Sequence, residues 1–214
     1  MREGFQSDLG DLSASLARMC DAAATAMRQA TQALLTADLA LAEQVLAADA
    51  DLDRQRVECE TNAYSLLALQ SPVAGDLRNV LAVVYCAEKV ERMGDLAAHI
   101  ADTTRYSHPD RVLPSGLEPM FTELGEITSR MADRVAGLVR SAAPGDFAEL
   151  RGTDETVDSL HARILAIITG EEWQHGQRPA VAIALAARFY ERFADQAVSV
   201  ARRLEFAATG TLPK

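Results

Sequence analysis

Residues 88–102 read EKVERMGDLAAHIAD and residues 188–202 read RFYERFADQAVSVAR. Laid over one another, Glu91 falls on Glu191, Arg92 on Arg192, Asp95 on Asp195, Ala97 on Ala197 and Ala101 on Ala201. The chain contains 39 alanines, so the alanine matches carry little weight. The shared Glu-Arg-x-x-Asp is not explained by composition. A second pair of segments agrees: DADLDRQ (49–55) overlies DETVDSL (154–160), matching Asp49 to Asp154 and Asp53 to Asp158. The chain therefore reads as a duplicated unit of about a hundred residues.

Working outward, each unit divides into three helices. Phe5, Leu12, Met19, Ala26 and Ala33 recur every seven residues with Leu9, Leu16, Ala23 and Ala30 between them, the stripe of a bundle-forming helix. A second helix is expected from about Asp38 to Gln70, burying Val45, Leu52, Cys59 and Leu66. Ser71 and Pro72 supply an expected N-cap and first-turn proline for a third helix reaching about Tyr106. SHPDRVLPSG (107–116) holds two prolines and a glycine, and 109–116 is the expected linker between a first repeat, 1–108, and a second, 117–214. Ser115 with Glu118 and Asp146 with Glu149 have capping-box spacing and predict the starts of the fourth and fifth helices. The fifth is expected to be disturbed at Gly152, and EEWQHGQRP (171–179) leads into a sixth from about Ala180 to Ala208. The fold class is all-α, two tandem three-helix bundles.

Composition narrows the function. The chain has 214 residues, 31 Asp plus Glu against 21 Lys plus Arg, a net charge of −10, and 5% aromatic residues. Nucleic acid and anionic membranes would repel such a surface, so neither is an expected partner. The longest apolar runs, 80–87 and 180–187, are too short to span a bilayer, and the first ten residues lack the pattern of a secretory signal, so no membrane insertion is expected. Cys20, Cys59 and Cys86 are odd in number and widely spaced, which suits buried free thiols in a reducing cytoplasm.

The repeated acids carry the chemistry. Glu91 and Asp95 lie one helical turn apart, and Glu88, His99 and Asp102 extend the stripe beside the core-facing Val80, Val83, Ala87, Val90, Gly94, Ala97 and Ala101. If the second helix brings Asp49, Asp53 and Glu60 to this stripe, four to six hard oxygen donors converge, a set suited to iron, manganese, magnesium or zinc. The second copy offers Asp154, Asp158, His161, Glu191 and Asp195. Against this stands the plainer reading of a solvated acidic face with surface ion pairs worth under about 1 kcal/mol. Arg188 replaces Glu88 and Arg202 replaces Asp102, so ion pairing is expected more in the second half and metal more in the first. His108 and His175 read as loop residues in water, and Trp173 as either an anchor over the bundle end or an exposed contact. The sequence offers no phosphate loop, catalytic triad or Cys/His pair, and no catalytic residue is assigned.

SPVAGDLRNVLAVVYCAEKVERMGDLAAHIA (71–101) and YERFADQAVSVA (190–201) resemble the signature helices of the PhoU family, each repeat of which carries a Glu-or-Asp-x-x-x-Asp motif. The resemblance extends over nearly the whole chain. It implies a cytoplasmic, non-enzymatic negative regulator that couples a phosphate ABC transporter to a sensor histidine kinase, with a homodimer as the candidate assembly. It also implies a candidate multinuclear iron or zinc site on Glu91 and Asp95 and on Glu191 and Asp195. The chain departs from the family pattern where an asparagine usual after the motif is His99 in one copy and Ser199 in the other, and where Gly94 becomes Ala194. Two further readings compete. A ferritin-like oxidase would use carboxylates on bundled helices, but needs Glu-x-x-His spacing that the acidic stripes lack. A metal-free adaptor would instead turn the carboxylates toward basic partner surfaces.

Overall fold

A computed structural model describes residues 2–213, which form α1 (Arg2–Thr36), α2 (Leu39–Gln70), α3 (Ala74–Ser107), α4 (Glu118–Arg140), α5 (Asp146–Thr169) and α6 (Gln177–Thr209). The expected heptad positions are where the burial falls. Leu12, Met19 and Ala33 of α1 are buried, as are Val45, Leu52, Cys59 and Leu66 of α2 and the whole Val80-to-Ala101 stripe of α3.

The packing repeats the duplication. Helices α1, α3, α4 and α6 make a central group in which α1 lies along α4 and α3 along α6, while α2 flanks one side and α5 the other. Helices α3 and α6 run antiparallel: Arg78 approaches Gly210, Tyr85 lies under Arg203, and His99 stacks on Phe189. Side chains from both repeats share one continuous apolar core. At its centre the Tyr190 hydroxyl meets Thr31 Oγ1 at 2.8 Å, and Thr31 Oγ1 donates to the Met27 carbonyl at 2.8 Å. All three cysteines are free and buried, and burial pushes each thiol above its ordinary pKa, so none is poised as a thiolate.

Several expected helix boundaries differ in detail. Ser71 does not start α3: it has φ +45°, and its N–H donates to the Leu67 carbonyl, so it closes α2, and α3 begins after Val73 without a side-chain cap. Ser115 does not cap α4, whose first turn carries Pro119 beyond Leu117, and Glu118 pairs with Arg111 at 2.8 Å. The Asp146 carboxylate accepts from Ala143 N and Arg134. The α5 N-terminus is capped from another helix, where Glu205 Oε2 accepts from Gly145 N at 3.2 Å and Phe147 N at 2.9 Å. Helix α5 runs unbroken through Gly152. Val112 and Leu113 of the expected linker are buried, so this connection is held to the core. Trp173 is half-buried, sits edge-on to His175 and donates from Nε1 to the Gly176 carbonyl at 2.8 Å, closing its own loop. Among the described residues no helix is long and apolar enough to cross a membrane.

Candidate functional site: two carboxylate seams

The α2/α3 seam brings together the acids the periodicity singles out. Gly94 lets α2 approach so closely that Leu52 occupies the space a Cβ would need, with Asp49 Oδ1 3.5 Å from the same point. Asp49 thereby joins Asp95: burial first, then the charge of Asp95, pushes the Asp49 carboxyl above its ordinary pKa, with His99 opposing and Asp53 adding. Glu91 is raised in the same way, by burial, then Asp95, then Asp53, against Arg56 and Arg92. Both motifs of the first repeat therefore feel one another across the seam.

The first seam is nonetheless rich in its own cations, which corrects the expected distribution of ion pairs. Arg56 donates to Asp53 at 2.8 Å and to both oxygens of Glu60 at 3.1 Å, and Arg92 holds Asp95 at 2.6 Å. Glu88 is exposed and lies 3.7 Å from Lys89, and half-buried Asp102 pairs with Arg105. Arg56 is the residue the sequence reading missed. Its signal was present, three residues after Asp53 and four before Glu60, the spacing of helical ion pairs.

The α5/α6 seam repeats the arrangement with different compensation. Asp154 faces Asp158, Asp195 and Glu191, and burial followed by these charges pushes its carboxyl up to about 7. Glu191 is raised by burial and Asp195, and Asp195 by burial and Asp158, with Arg188 opposing both. Arg188 pairs with Glu191. His161, at the place Arg56 takes in the first repeat, has its pKa lowered by burial and then by Arg188, which favours the neutral imidazole. Two carboxylate oxygens, Asp154 Oδ1 and Glu191 Oε2, are buried without a hydrogen-bond partner.

Among the described residues no three His, Cys, Asp or Glu side chains converge closely enough to hold a metal ion as they stand. The hard oxygen donors, His161 and two orphaned oxygens of the second seam are of the kind a cation takes, although Arg188 already pairs with Glu191 there as Arg56 pairs with Asp53 and Glu60 in the first seam.

A PhoU domain model matches residues 16–104 and again 121–204, once in each repeat. The chain is 42% identical over 214 residues to the phosphate-specific transport system accessory protein PhoU homolog 1 of Mycobacterium leprae, covering 100% of this chain and 96% of that one. It is also 42% identical over 213 residues to the PhoU homolog 2 of Mycobacterium tuberculosis, over the whole of both chains. The crystal structure of the phosphate transport system regulatory protein PhoU from Streptococcus pneumoniae shares the fold with a TM-score of 0.87 at 23% identity, over 98% of this chain and 99% of that one. PhoU from Pseudomonas aeruginosa superposes with a TM-score of 0.85 at 21% identity, over 97% and 100%.

Proposed function

The chain belongs to the PhoU family, and on that premise we propose that it is a non-enzymatic negative regulator of phosphate uptake and phosphate-starvation signalling. It acts in the cytoplasm by binding subunits of a phosphate ABC transporter and a sensor histidine kinase. The observation that carries this reading is the end-to-end match, at 42% identity, to relatives named as accessory proteins of the phosphate-specific transport system. The geometry supports it: matched acidic seams on a shared core offer surfaces for basic partner segments. Such a protein regulates only if it binds one partner state better than another, a coupling of about 1 to 3 kcal/mol. Deleting the gene is expected to derepress phosphate-starvation genes in phosphate-rich medium. Unchanged repression, with no second copy in the genome, removes the proposal. Pull-downs at high and low phosphate identify the partners and show whether their capture changes.

A second reading, a bound transition metal such as iron or zinc, is favoured by the orphaned Asp154 and Glu191 oxygens. Those two residues with Asp158, Asp195 and His161 would hold it, supplying a fixed positive charge at the α5/α6 seam. Elemental analysis of protein purified without chelator tests it against the metal-free adaptor. Loss of bound metal in Glu191→Gln is the supporting result, and no stoichiometric metal after reconstitution is the opposing one.

A further inference from the structure

Helices α3 and α6 turn their seam acids toward α2 and α5 and gather cations between themselves. Helix α3 packs on α1, α2 and α6, and α6 on α3, α4 and α5, so the side of the α3/α6 pair turned away from α1 and α4 carries no helix. On that side Arg203 lies 4.3 Å over the Tyr85 ring, Lys89 lies 5.4 Å over the same ring, and exposed His99 stacks on Phe189 at 5.1 Å. The antiparallel register set by the cross-helix contacts places Arg192 opposite Leu96 and Arg92 opposite Gln196, at the middle of the pair.

Five cations thus line one groove, Arg78, Lys89, Arg92, Arg192 and Arg203, in a chain whose net charge is −10. Arg78 closes one end, with its Nε buried and unpartnered. Three acids oppose them. Exposed Glu88 lies 3.7 Å from Lys89, Arg92 holds Asp95 at 2.6 Å, and Arg192 favours the charged form of Asp195. Asp95 and Asp195 are shared with the seams, so the groove itself stays positive. Apolar side chains stand to either side of this basic centre. Leu81 at one end and Val181 and Leu185 at the other are 52%, 59% and 51% exposed, with half-buried Tyr85 and Phe189 next to them.

We propose that this groove docks an acidic amphipathic helix of a partner protein. From Leu81 to Tyr106 it runs about 40 Å, the length of a helix of about 25 residues laid along it. Apolar side chains of such a helix meet Leu81 and Tyr85 at one end and Leu185 and Val181 at the other, while its carboxylates meet Arg92, Arg192 and Arg203. A second copy of this chain fits worse, because a two-fold contact sets the same cations against one another. A lipid surface or a nucleic acid is broader than one helix and would overlie the acidic seams, about 8–10 Å to either side. The proposal rests on the regulatory reading above and adds to it the face and the chemistry of the partner segment.

Photocrosslinking in cells tests it, with benzoylphenylalanine placed in the full-length chain at Leu81 or at Val181 and the adducts mapped by mass spectrometry. Both positions are expected to capture one acidic segment whose apolar residues recur at helical spacing. The synthetic peptide of that segment is then the probe for fluorescence anisotropy with the purified protein. Lys89→Glu combined with Arg192→Glu is expected to weaken the peptide about tenfold or more, and Arg130→Glu on α4 to leave it unchanged. Helical circular dichroism of each variant shows that the fold is kept. A basic segment, a second copy, lipid or no adduct at either position overturns the proposal, as does unchanged peptide affinity in the folded double variant. In cells the double variant is expected to derepress phosphate-starvation genes as the deletion does. Derepression by the deletion but not by the double variant strikes this groove and leaves the regulatory reading standing.

Discussion

Gly94 of α3 receives the Leu52 side chain of α2 in the space where a Cβ would stand, whereas the equivalent pair in the second repeat is Ala194 and Val157. One repeat sets a glycine against a leucine, the other a larger alanine against a smaller valine. In both repeats the seam carboxylates lie within mutual influence, and in the first the close approach at Gly94 brings Asp49 to the same point.

The exchange should therefore be transferable. Gly94→Ala alone is expected to destabilise by about 1 kcal/mol, overpacking of about 1–3 kcal/mol being offset by about 1 kcal/mol of helix propensity. In a Leu52→Val background the same change should stabilise. Urea midpoints of the four proteins give the cycle, and an effect of one sign in both backgrounds contradicts this account.

Gly125 gives a harder case. A Cβ there runs into Thr31, whose β-branched side chain is held by the Met27 carbonyl and the Tyr190 hydroxyl and cannot rotate away cheaply. Gly125→Ala is expected to cost about 2 kcal/mol or more, and Tyr190→Phe about 1 kcal/mol, the loss of one buried hydrogen bond. Thermal or chemical denaturation orders them, and a neutral Gly125→Ala would show that α1 and α4 are not in this register.

The α5 N-terminus should depend on Glu205. Its carboxylate accepts from two amides and lies at the positive end of the helix dipole, so Glu205→Ala is expected to cost about 1–2 kcal/mol. Glu205→Gln keeps an acceptor but not the charge and should cost less. Hydrogen exchange at the Phe147 amide is the local readout, expected to accelerate in the alanine variant.

Asp154 sets a pH dependence. Its folded-state pKa of about 7 lies above the ordinary value of 3.8, so the folded state holds the extra proton between those values. Stability should therefore rise as pH falls through about 7, the increase continuing toward the ordinary carboxyl range, and decline as pH rises. Asp154→Asn is expected to flatten this slope and to be more stable than the parent at pH 8. Urea unfolding in EDTA across pH 5 to 8 measures it, and an unchanged slope in the variant removes Asp154 as the cause.

Much of this architecture was legible because a helix writes its buried face into the sequence at a fixed period. The stripes of α1, α2 and α3 and the matched Glu91/Asp95 and Glu191/Asp195 pairs needed only local geometry. The helix starts were less legible. Ser71, Ser115 and Asp146 have the chemistry of caps, yet their side chains do not cap the expected helices, while Glu205 caps α5 from about 60 residues away with no local signal.

The amino-acid order alone determined that there are six amphipathic helices in two related sets and which acids share a face, since periodicity and internal repetition are properties of the chain. Only the packing decided that Arg56 neutralises the first seam, that Asp154 and Glu191 keep unpaired oxygens in the second, and that Arg203 of the second repeat lies over Tyr85 of the first. Burial and charge compensation depend on which helices approach one another and how closely, and those distances are set by residues far apart in the chain.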